Sequence, residues 1–341
     1  MGQIIINAKS LKLQAYNNYS IIMITCYLMG GLGNQLFQIF TTLSYAIRTG
    51  QIYNFTDAET LTTGTETERT TYWDTFLKEL KIVTTDDVYK KITKQIKEES
   101  FRYKNIPIDE IKDVEGVLLY GYFQSYKYFE PQAPTIFKVI KLTEQKENLQ
   151  LVHSDELLTI PDLKNSISMH FRVGDYQKFT NIHPIMPYEY YENALSYIID
   201  HPSTKLVSVP RTKPISLRKN KRIIKIKQVL YFCQDDDLEQ AEQIIDKLHI
   251  KFPDLAFVRC SPKYADWEQM LIMSMCKCNI IANSTFSWWG AYFNENKQKI
   301  ICYPCKWFGV AANNHDTSDL FPNNWCKIDF ESDNGCDIVS V

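Results

Sequence analysis

The sequence predicts an α/β protein made of two successive halves. Short apolar segments alternate with amphipathic segments along the whole chain, as strands and helices do in this class. Polar side chains follow several of the predicted strands in both halves. A length of 341 residues suits two domains of ordinary size, and contents of 45% hydrophobic and 23% charged residues are typical of globular proteins.

The first half opens with a predicted strand, glycine loop and helix. Residues 21–29 are an apolar run, followed by the sequence Gly-Gly-Leu-Gly-Asn-Gln and a helical pattern that ends before Gly50. The glycines would let backbone N–H groups approach a ligand at the helix N-terminus. A dinucleotide fingerprint is excluded because Leu36 stands where the third glycine is required. A tight turn without a ligand is the alternative. The candidate ligand residues are Gly31, Gly33, Asn34 and Gln35.

The rest of the first half gives weaker signals. Residues 52–55 suit a second strand, residues 61–71 a threonine-rich loop, and residues 85–99 a charged amphipathic helix. A strand is predicted over residues 116–124. Its polar and aromatic end would line an acceptor site, and packing of the aromatic residues within the protein is the alternative. A polar helix over residues 142–158 then leads to the second half.

The second half begins with the clearest candidate residue. The first half of the stretch Ile167–Tyr176 alternates polar and apolar side chains, which predicts a strand, and the strand leads to Arg172, Gly174 and Asp175. A side chain at the carboxyl end of such a strand faces the crevice where open α/β sheets bind ligands. A guanidinium is always charged and fits phosphate bidentately. We therefore expect Arg172 to hold a nucleotide diphosphate.

Polar groups also follow two later strands. A strand over residues 229–233 precedes Asp235, Asp236 and Asp237, whose carboxylates suit a ribose hydroxyl or a base N–H, with helix capping as the alternative. A strand over residues 279–282 precedes Asn283, Ser284 and Thr285, which suit a phosphate or, again, capping alone. Helices are expected over residues 187–200, 238–250 and 267–276, and a last strand over residues 300–303.

Composition limits the partners. The net charge of −2 favours neither nucleic acid nor an anionic membrane. The nine cysteines form no disulfide framework and no paired zinc motif, so reduced core cysteines and no metal are expected. The run from Lys205 to Lys227 contains nine Lys and Arg residues and no acid, which favours a surface insertion over an anionic partner. Residues 21–29 are too short to span a bilayer and lack signal-peptide features, so a cytoplasmic protein is expected.

Several stretches resemble one family in the order in which that family carries them. The resemblance is to the GDP-fucose-dependent α-1,2-fucosyltransferases of glycosyltransferase family 11, over roughly residues 23–325. The stretches are Gly30 to Gln38, Tyr72-Trp73-Asp74, Gly121 to Ser125, His170 to Tyr176, Asp236-Asp237, and Asn283 to Tyr292.

The resemblance implies a GT-B fold, with two Rossmann-like domains facing each other across a cleft. The expected parts are an N-terminal extension (1–20), an acceptor-side domain (21–160), a GDP-fucose-binding domain (161–330) and a tail (331–341). The implied reaction is an inverting transfer of L-fucose from GDP-β-L-fucose to a glycan, at the 2-OH of galactose, without a metal. The alternatives are a transferase that uses another GDP-sugar or a protein acceptor, and a non-catalytic nucleotide- or sugar-binding protein.

The resemblance also implies roles for single residues. Arg172 would bind the β-phosphate and His170 would frame the donor. Independently of the resemblance, Asp175 lies three residues beyond Arg172, where it would act as general base or orient Arg172. Two positions depart from the family pattern. Val173 stands where the family has its second arginine, and Gln269 stands where the family has an aspartate that binds guanine. The implied donor-binding set is Arg172, His170, Asp236, Asp237, Gln269, Asn283, Ser284 and Thr285.

Overall fold

The computed structural model describes residues 21–62, 68–111, 114–152, 163–202 and 226–330. The chain divides into two compact units. Unit 1 contains the chain up to His153 together with Asn314–Asn323, and unit 2 contains Ser154–Asn313 and the chain from Asn324 onwards. The expected extension and tail, and the basic run except for its last residues, lie outside the described residues.

Unit 1 is built on a four-stranded parallel sheet. Its strand order is β2-β1-β6-β5, and the segment between β2 and β5 adds an antiparallel hairpin of β3 and β4. The strands are β1 (Met23–Cys26), β2 (Ile52–Tyr53), β3 (Thr60–Thr62), β4 (Glu68–Thr70), β5 (Lys94–Lys97) and β6 (Gly116–Tyr120). The helices are α1 (Leu32–Thr49), α2 (Ala133–Val139) and α3 (Leu142–Val152).

Helix α1 has clear causes for its start and its end. Gly31 occupies the N-cap position with an extended backbone, and Gly50 ends the helix in the left-handed conformation. Most of the helix is buried, and Phe37 and Phe40 pack against Phe129 with ring centroids 5.9 and 5.5 Å away. The predicted order of strand, glycine loop and helix is confirmed.

Two predictions for unit 1 are wrong. Residues 85–99 form turns followed by the parallel strand β5, not a helix. At the end of this segment the half-buried Lys94 and Ile96 alternate with exposed neighbours, which is the two-residue period of a strand. The predicted loop over residues 61–71 contains β3 and β4, whose threonines suit an antiparallel hairpin.

Unit 2 is built on a six-stranded, entirely parallel sheet. Its order is β12-β11-β10-β7-β8-β9, so numbering its strands from one gives the 3-2-1-4-5-6 arrangement of dinucleotide-binding folds. The strands are β7 (Ser166–His170), β8 (Gln228–Phe232), β9 (Ala256–Arg259), β10 (Cys278–Ile280), β11 (Ile301–Pro304) and β12 (Cys326–Ile328). The helices are α4 (Tyr188–Asp200), α5 (Leu238–Lys251), α6 (Asp266–Met275) and α7 (Thr285–Tyr292).

The α/β class and the Rossmann-like sheet order are therefore confirmed. The strand near residues 300–303 is not the last, because β12 adds a further edge strand beside β11. The eight cysteines within the described residues are all free, five of them buried. None of the described helices combines the length and apolar character needed to cross a bilayer.

Candidate functional site

The candidate site of unit 2 lies where its sheet changes direction. Strand β7 pairs with β8 on one side and with β10 on the other, although β10 comes three strands later. Ligands of such sheets bind outside the carboxyl ends of these two strands. The segment after β7 carries Arg172 and Gly174, and the segment after β10 carries Asn283 and Ser284.

Arg172 is the positively charged side chain that follows β7 at this edge, and its guanidinium is positioned by two neighbours. Its Nη1 donates a hydrogen bond to Gln234 Oε1 at 2.8 Å, and the guanidinium lies over the Tyr176 ring, 5.4 Å from the centroid. The Tyr176 hydroxyl donates to the Asn283 carbonyl oxygen at 3.0 Å. Tyr176 also stacks on His183 at 4.6 Å. The two strand-end segments are thus joined through one aromatic side chain.

Asp237 fixes the backbone of the Arg172 segment. Its Oδ1 accepts from the Gly174 N–H at 2.6 Å and its Oδ2 from the Val173 N–H at 3.1 Å. The side chain is fully buried, whereas Asp236 beside it is exposed. Hydrogen bonds to a buried carboxylate are among the stronger ones in proteins. Asp237 therefore positions the loop that carries Arg172 and makes no side-chain capping bond to α5.

His170 is the last residue of β7 and is almost completely buried. Burial, and secondarily the charge of Arg172, lower the pKa of His170 to about 3. Its Nδ1 has no hydrogen-bond partner within the described residues, and its ring lies 5.6 Å from that of Phe286. His170 is therefore a neutral imidazole next to the first turn of α7 and adds no charge to the site.

Asn283, Ser284 and Thr285 lie at the start of α7. The Asn283 amide donates to the carbonyl oxygens of Pro184 and Trp307 at 2.9 and 3.2 Å, so it ties three loops together. Ser284 occupies the N-cap position, but its side chain makes no capping hydrogen bond. Capping alone therefore does not account for the serine. A helix N-terminus attracts anions through its N–H groups and its dipole.

The remaining predicted donor residues lie around β8 and α6. Asp235 is paired with Arg259, and the exposed Asp236 follows it. The Gln269 amide donates to the Tyr264 carbonyl oxygen at 2.9 Å, which leaves its amide oxygen to accept. Asp175 belongs to the 3-10 segment Gly174–Phe179, and its side chain lies outside the described part of the structure.

Unit 1 has an equivalent edge, where β1 pairs with the much later β6. Gly30 has a φ of +75°, and a Cβ there would lie 2.5 Å from Asn34 Nδ2, so the position requires glycine. The Gln35 amide is fully buried and donates to the carbonyl oxygens of Gly30 and Thr70 at 3.0 and 2.9 Å. Asn34 Oδ1 accepts from Gln124 Nε2 at 3.0 Å. Asn34 and Gln35 thus hold the loop from the first turn of α1, while Gly31 is the N-cap of that helix and Gly33 lies within its first turn.

The sequence patterns do not single out Gln234, which accepts a hydrogen bond from Arg172, or His183, which stacks on Tyr176. A polar residue after every strand of a parallel sheet is the signal that identifies Gln234. Nothing in the sequence identifies His183, because its role depends on a stack formed across a loop.

No group of three or more His, Cys, Asp or Glu side chains within the described residues is arranged to hold a metal ion. The expected metal independence stays a prediction.

The chain is similar to a known family and to several known proteins. Residues 217–329 match the family model "Glycosyl transferase family 11". The chain is 30% identical over 216 residues to the O-antigen biosynthesis glycosyltransferase WbnK of Escherichia coli, which covers 62% of this chain and 61% of that protein. It is 25% identical over 212 residues to an alpha-1,2-colitosyltransferase of Escherichia coli, which covers 61% of each. The aligned part is thus about three fifths of each relative.

Among solved structures, a mutant of Arabidopsis thaliana FUT1 in complex with GDP is similar at a TM-score of 0.42 and 12% identity. The similarity covers 86% of this chain and 73% of that one, and a score below 0.5 does not by itself establish a shared fold. The family match begins before β8 and ends after β12, so it includes Asp236, Gln269 and the α7 segment. The predicted resemblance to glycosyltransferase family 11 is confirmed.

Proposed function

We propose that this protein is an enzyme that transfers a sugar from a nucleotide donor to a glycan hydroxyl. The match of residues 217–329 to glycosyltransferase family 11 supports the proposal. The donor is GDP-β-L-fucose, the acceptor is the 2-OH of galactose, and the reaction inverts the anomeric carbon without a metal. GDP binds at the carboxyl edge of the unit 2 sheet, and the glycan is the second substrate.

The observation that carries this proposal is the position of Arg172 at the β7–β10 edge. In the displacement, the acceptor oxygen forms a bond to the anomeric carbon while the bond from that carbon to the β-phosphate oxygen breaks. Negative charge therefore develops on the β-phosphate. A guanidinium already held by Gln234 and Tyr176 stabilises this charge without reorganising during the reaction.

Other groups around the edge suit the rest of the nucleotide. The hydroxyl of Ser284 and the start of α7 suit the α-phosphate, with Thr285 beside them. The exposed Asp236 suits the ribose, and the amide oxygen of Gln269 suits a guanine N–H. The neutral imidazole of His170 would frame the donor beside Phe286. Asp175, three residues after Arg172, would act as the proton acceptor or as a partner that orients Arg172.

A colitosyl donor is the second candidate. The alpha-1,2-colitosyltransferase relative supports it, because its aligned region is nearly as long as that of WbnK. The two donors differ in the sugar and not in the group that Arg172 would contact. A non-catalytic binding protein is a third outcome, which would bind GDP without releasing it from any sugar nucleotide.

The test is a donor and acceptor screen with the purified full chain, read by mass spectrometry of the products. We expect GDP release and a fucosylated galactoside from GDP-fucose, and none from UDP-sugars. Arg172→Ala should lower kcat by about 10²–10³-fold, the effect of losing one preorganised contact to developing charge. Arg172→Lys should also be poor, since a point charge does not reproduce the guanidinium fork.

Arg48→Ala is the matched control, because the Arg48 guanidinium contacts Asn105 and Ile106 of unit 1, in which it lies. It should keep wild-type turnover. Near-normal turnover of a folded Arg172→Ala protein would refute the proposed role, and turnover with a colitosyl donor alone would select the second candidate.

A further inference from the structure

A cluster of tyrosines lies at the carboxyl edge of the unit 1 sheet and has no role in the site described above. Tyr27 follows β1, Tyr120 ends β6, and Tyr89 lies in the turns before β5. The Tyr27 ring centroid is 5.5 Å from that of Tyr120 and 6.1 Å from that of Tyr89. Tyr122 comes two residues after Tyr120 and completes what we call the tyrosine platform.

The platform lies where a parallel sheet binds its ligands. Strand β1 has β2 on one side and the much later β6 on the other, so the sheet changes direction between β1 and β6. Ligands of open α/β sheets bind outside the carboxyl ends of the strands at such a point. Tyr27 and Tyr120 stand at these two ends, and the Tyr27 N–H continues the pairing by donating to the Leu119 carbonyl oxygen at 3.0 Å.

The rings of the platform are open to solvent. The exposed fraction is 37% for Tyr27, 38% for Tyr89 and 40% for Tyr122, and Tyr120 is half-buried. A single half-exposed tyrosine is ordinary on a protein surface, whereas contiguous exposed apolar groups mark a binding site. These rings are therefore accessible to a ligand.

Hydrogen bonds hold two of the platform tyrosines in place. The Tyr89 hydroxyl donates to the Cys26 carbonyl oxygen at 3.4 Å, which ties this side chain to β1. The Tyr122 N–H donates to Glu98 Oε2 at 2.8 Å. The next residue, Phe123, has a φ of +52° and a buried ring, so the turn that buries Phe123 leaves Tyr122 on the surface. A side chain that is already fixed loses little conformational entropy when a ligand binds.

The chemistry of the platform suits a neutral sugar. Burial is the main cause that raises the pKa of Tyr89 and of Tyr122 above the ordinary value for tyrosine, so their hydroxyls are uncharged at neutral pH. A pyranose presents a C–H face that packs on aromatic rings, and hydroxyls that exchange hydrogen bonds with phenols. Several accessible rings with uncharged polar tips match that pattern.

We infer that the tyrosine platform binds the acceptor glycan, with neutral sugar rings packed on its exposed tyrosine rings. The inference rests on the proposed function, which supplies a glycan acceptor, and it adds the residues that recognise the glycan. Tyr27 and Tyr122 are binding residues for the acceptor and take no part in donor binding.

The test compares Tyr27→Leu/Tyr122→Leu with wild type, using GDP-fucose and methyl β-D-galactopyranoside. Leucine keeps an apolar side chain and removes the aromatic face. We expect the acceptor KM to rise about 10- to 100-fold through the loss of two aromatic contacts, with unchanged GDP affinity and unchanged donor hydrolysis. Both side chains are partly exposed, so the variant should fold.

Two further variants sharpen the test. Tyr27→Phe/Tyr122→Phe keeps both rings and should stay within about threefold of the wild-type acceptor KM. Tyr197→Leu is the matched control, because Tyr197 is 42% exposed on α4 of unit 2 and is not part of the platform. It should behave as wild type.

Three results would overturn the inference. They are an unchanged acceptor KM in the leucine double variant, an equal loss in the phenylalanine double variant, and a parallel loss of GDP affinity, which would assign the platform to the nucleotide. If the leucine double variant does not fold, the single variants Tyr27→Leu and Tyr122→Leu replace it. An unchanged acceptor KM in both of them also overturns the inference.

Failure of the proposed function gives a different pattern. Wild type would then neither bind GDP nor hydrolyse GDP-fucose. The platform is then tested without nucleotide, by saturation-transfer NMR with the same galactoside and by binding to a glycan array. Loss of glycan binding in the leucine double variant would support the platform independently of the donor. A wild type that binds no sugar in either measurement would refute it.

Discussion

The loop that carries Arg172 is fixed by a buried carboxylate, whereas the glycine loop of unit 1 is fixed by neutral amides. Asp237 binds two successive N–H groups after β7. Gln35 binds two carbonyl oxygens, those of Gly30 and Thr70. Both loops follow the first strand of a parallel sheet, at the point where the sheet changes direction. The same position in two similar sheets is therefore stabilised by opposite kinds of hydrogen-bonding partner.

The difference suits what each loop would meet. A loop beside a diphosphate must direct a positive group outwards, and Asp237 holds the backbone of that loop in place through two N–H groups. A loop beside a neutral glycan needs shape without net charge, which amides provide. We call Asp237 the charged clamp and Gln35 the neutral clamp. We expect their substitutions to cost different amounts of unfolding free energy.

The largest effect is expected for Asp237→Asn. The amide keeps one acceptor but places an NH₂ group against a backbone N–H of the Arg172 segment. Losing a charge-assisted hydrogen bond and leaving a buried donor unpaired should together cost about 3–5 kcal/mol of unfolding free energy. Urea unfolding measures the cost. Asp236→Asn is the matched control and should change stability little, because Asp236 is exposed. An Asp237→Asn protein as stable as the control would contradict the proposed stabilisation of the Arg172 loop by Asp237.

A smaller effect is expected for Gln35→Met, which keeps the volume of the buried side chain and removes its donors. Two neutral hydrogen bonds at about 1 kcal/mol each are lost. The gain from removing Gln35 Oε1, which is buried and has no partner within the described residues, partly offsets them. We expect a net loss of about 1–2 kcal/mol by the same urea measurement.

Gln51→Met is the comparison for Gln35, because it removes the hydrogen bond that Gln51 Oε1 accepts from the Ile22 N–H at 2.8 Å at a half-buried position. It should cost less than Gln35→Met. A Gln35→Met protein that loses as much stability as Asp237→Asn would remove the distinction between the charged and the neutral clamp.

The sequence predicted the strand-end segments well because they depend on local patterns. The strand predicted from Ile167, the glycine loop and the start of α7 lie close to where the pattern placed them. The predicted helix over residues 85–99 failed because charged residues with scattered apolar ones suit both a surface helix and an edge strand. Pairing with β6, a long-range contact, decided for the strand.

The arrangement within the site depends on contacts that no local pattern contains. The sequence pointed to Asp237 as a nucleoside ligand, but its carboxylate contacts a loop more than sixty residues earlier. Glu98 was predicted on a scaffold helix and lies at a sheet edge because Gly121 leaves room for it. Such roles follow from the order of strands in the sheet, which a single sequence does not determine.

The pH dependence of stability also separates the two regions. The unfolded chain protonates His170 near its usual pKa of 6.5, whereas burial keeps the folded imidazole neutral down to about pH 3. Between these values the unfolded state binds the extra proton, so stability is complete above pH 6.5 and falls as the pH is lowered. The slope from this residue is at most about 1.4 kcal/mol per pH unit. No such slope is expected from the amide clamp of unit 1.

The measurement is the unfolding free energy of wild type and His170→Phe between pH 4 and pH 7.5. The variant should lose less stability on acidification, because phenylalanine fills the same buried space next to Phe286 and takes up no proton. His249→Gln is the matched control, because His249 is exposed on α5. Parallel profiles for wild type and His170→Phe would mean that His170 is protonated in the folded protein, and a cationic imidazole would then stand beside Arg172 at the end of β7.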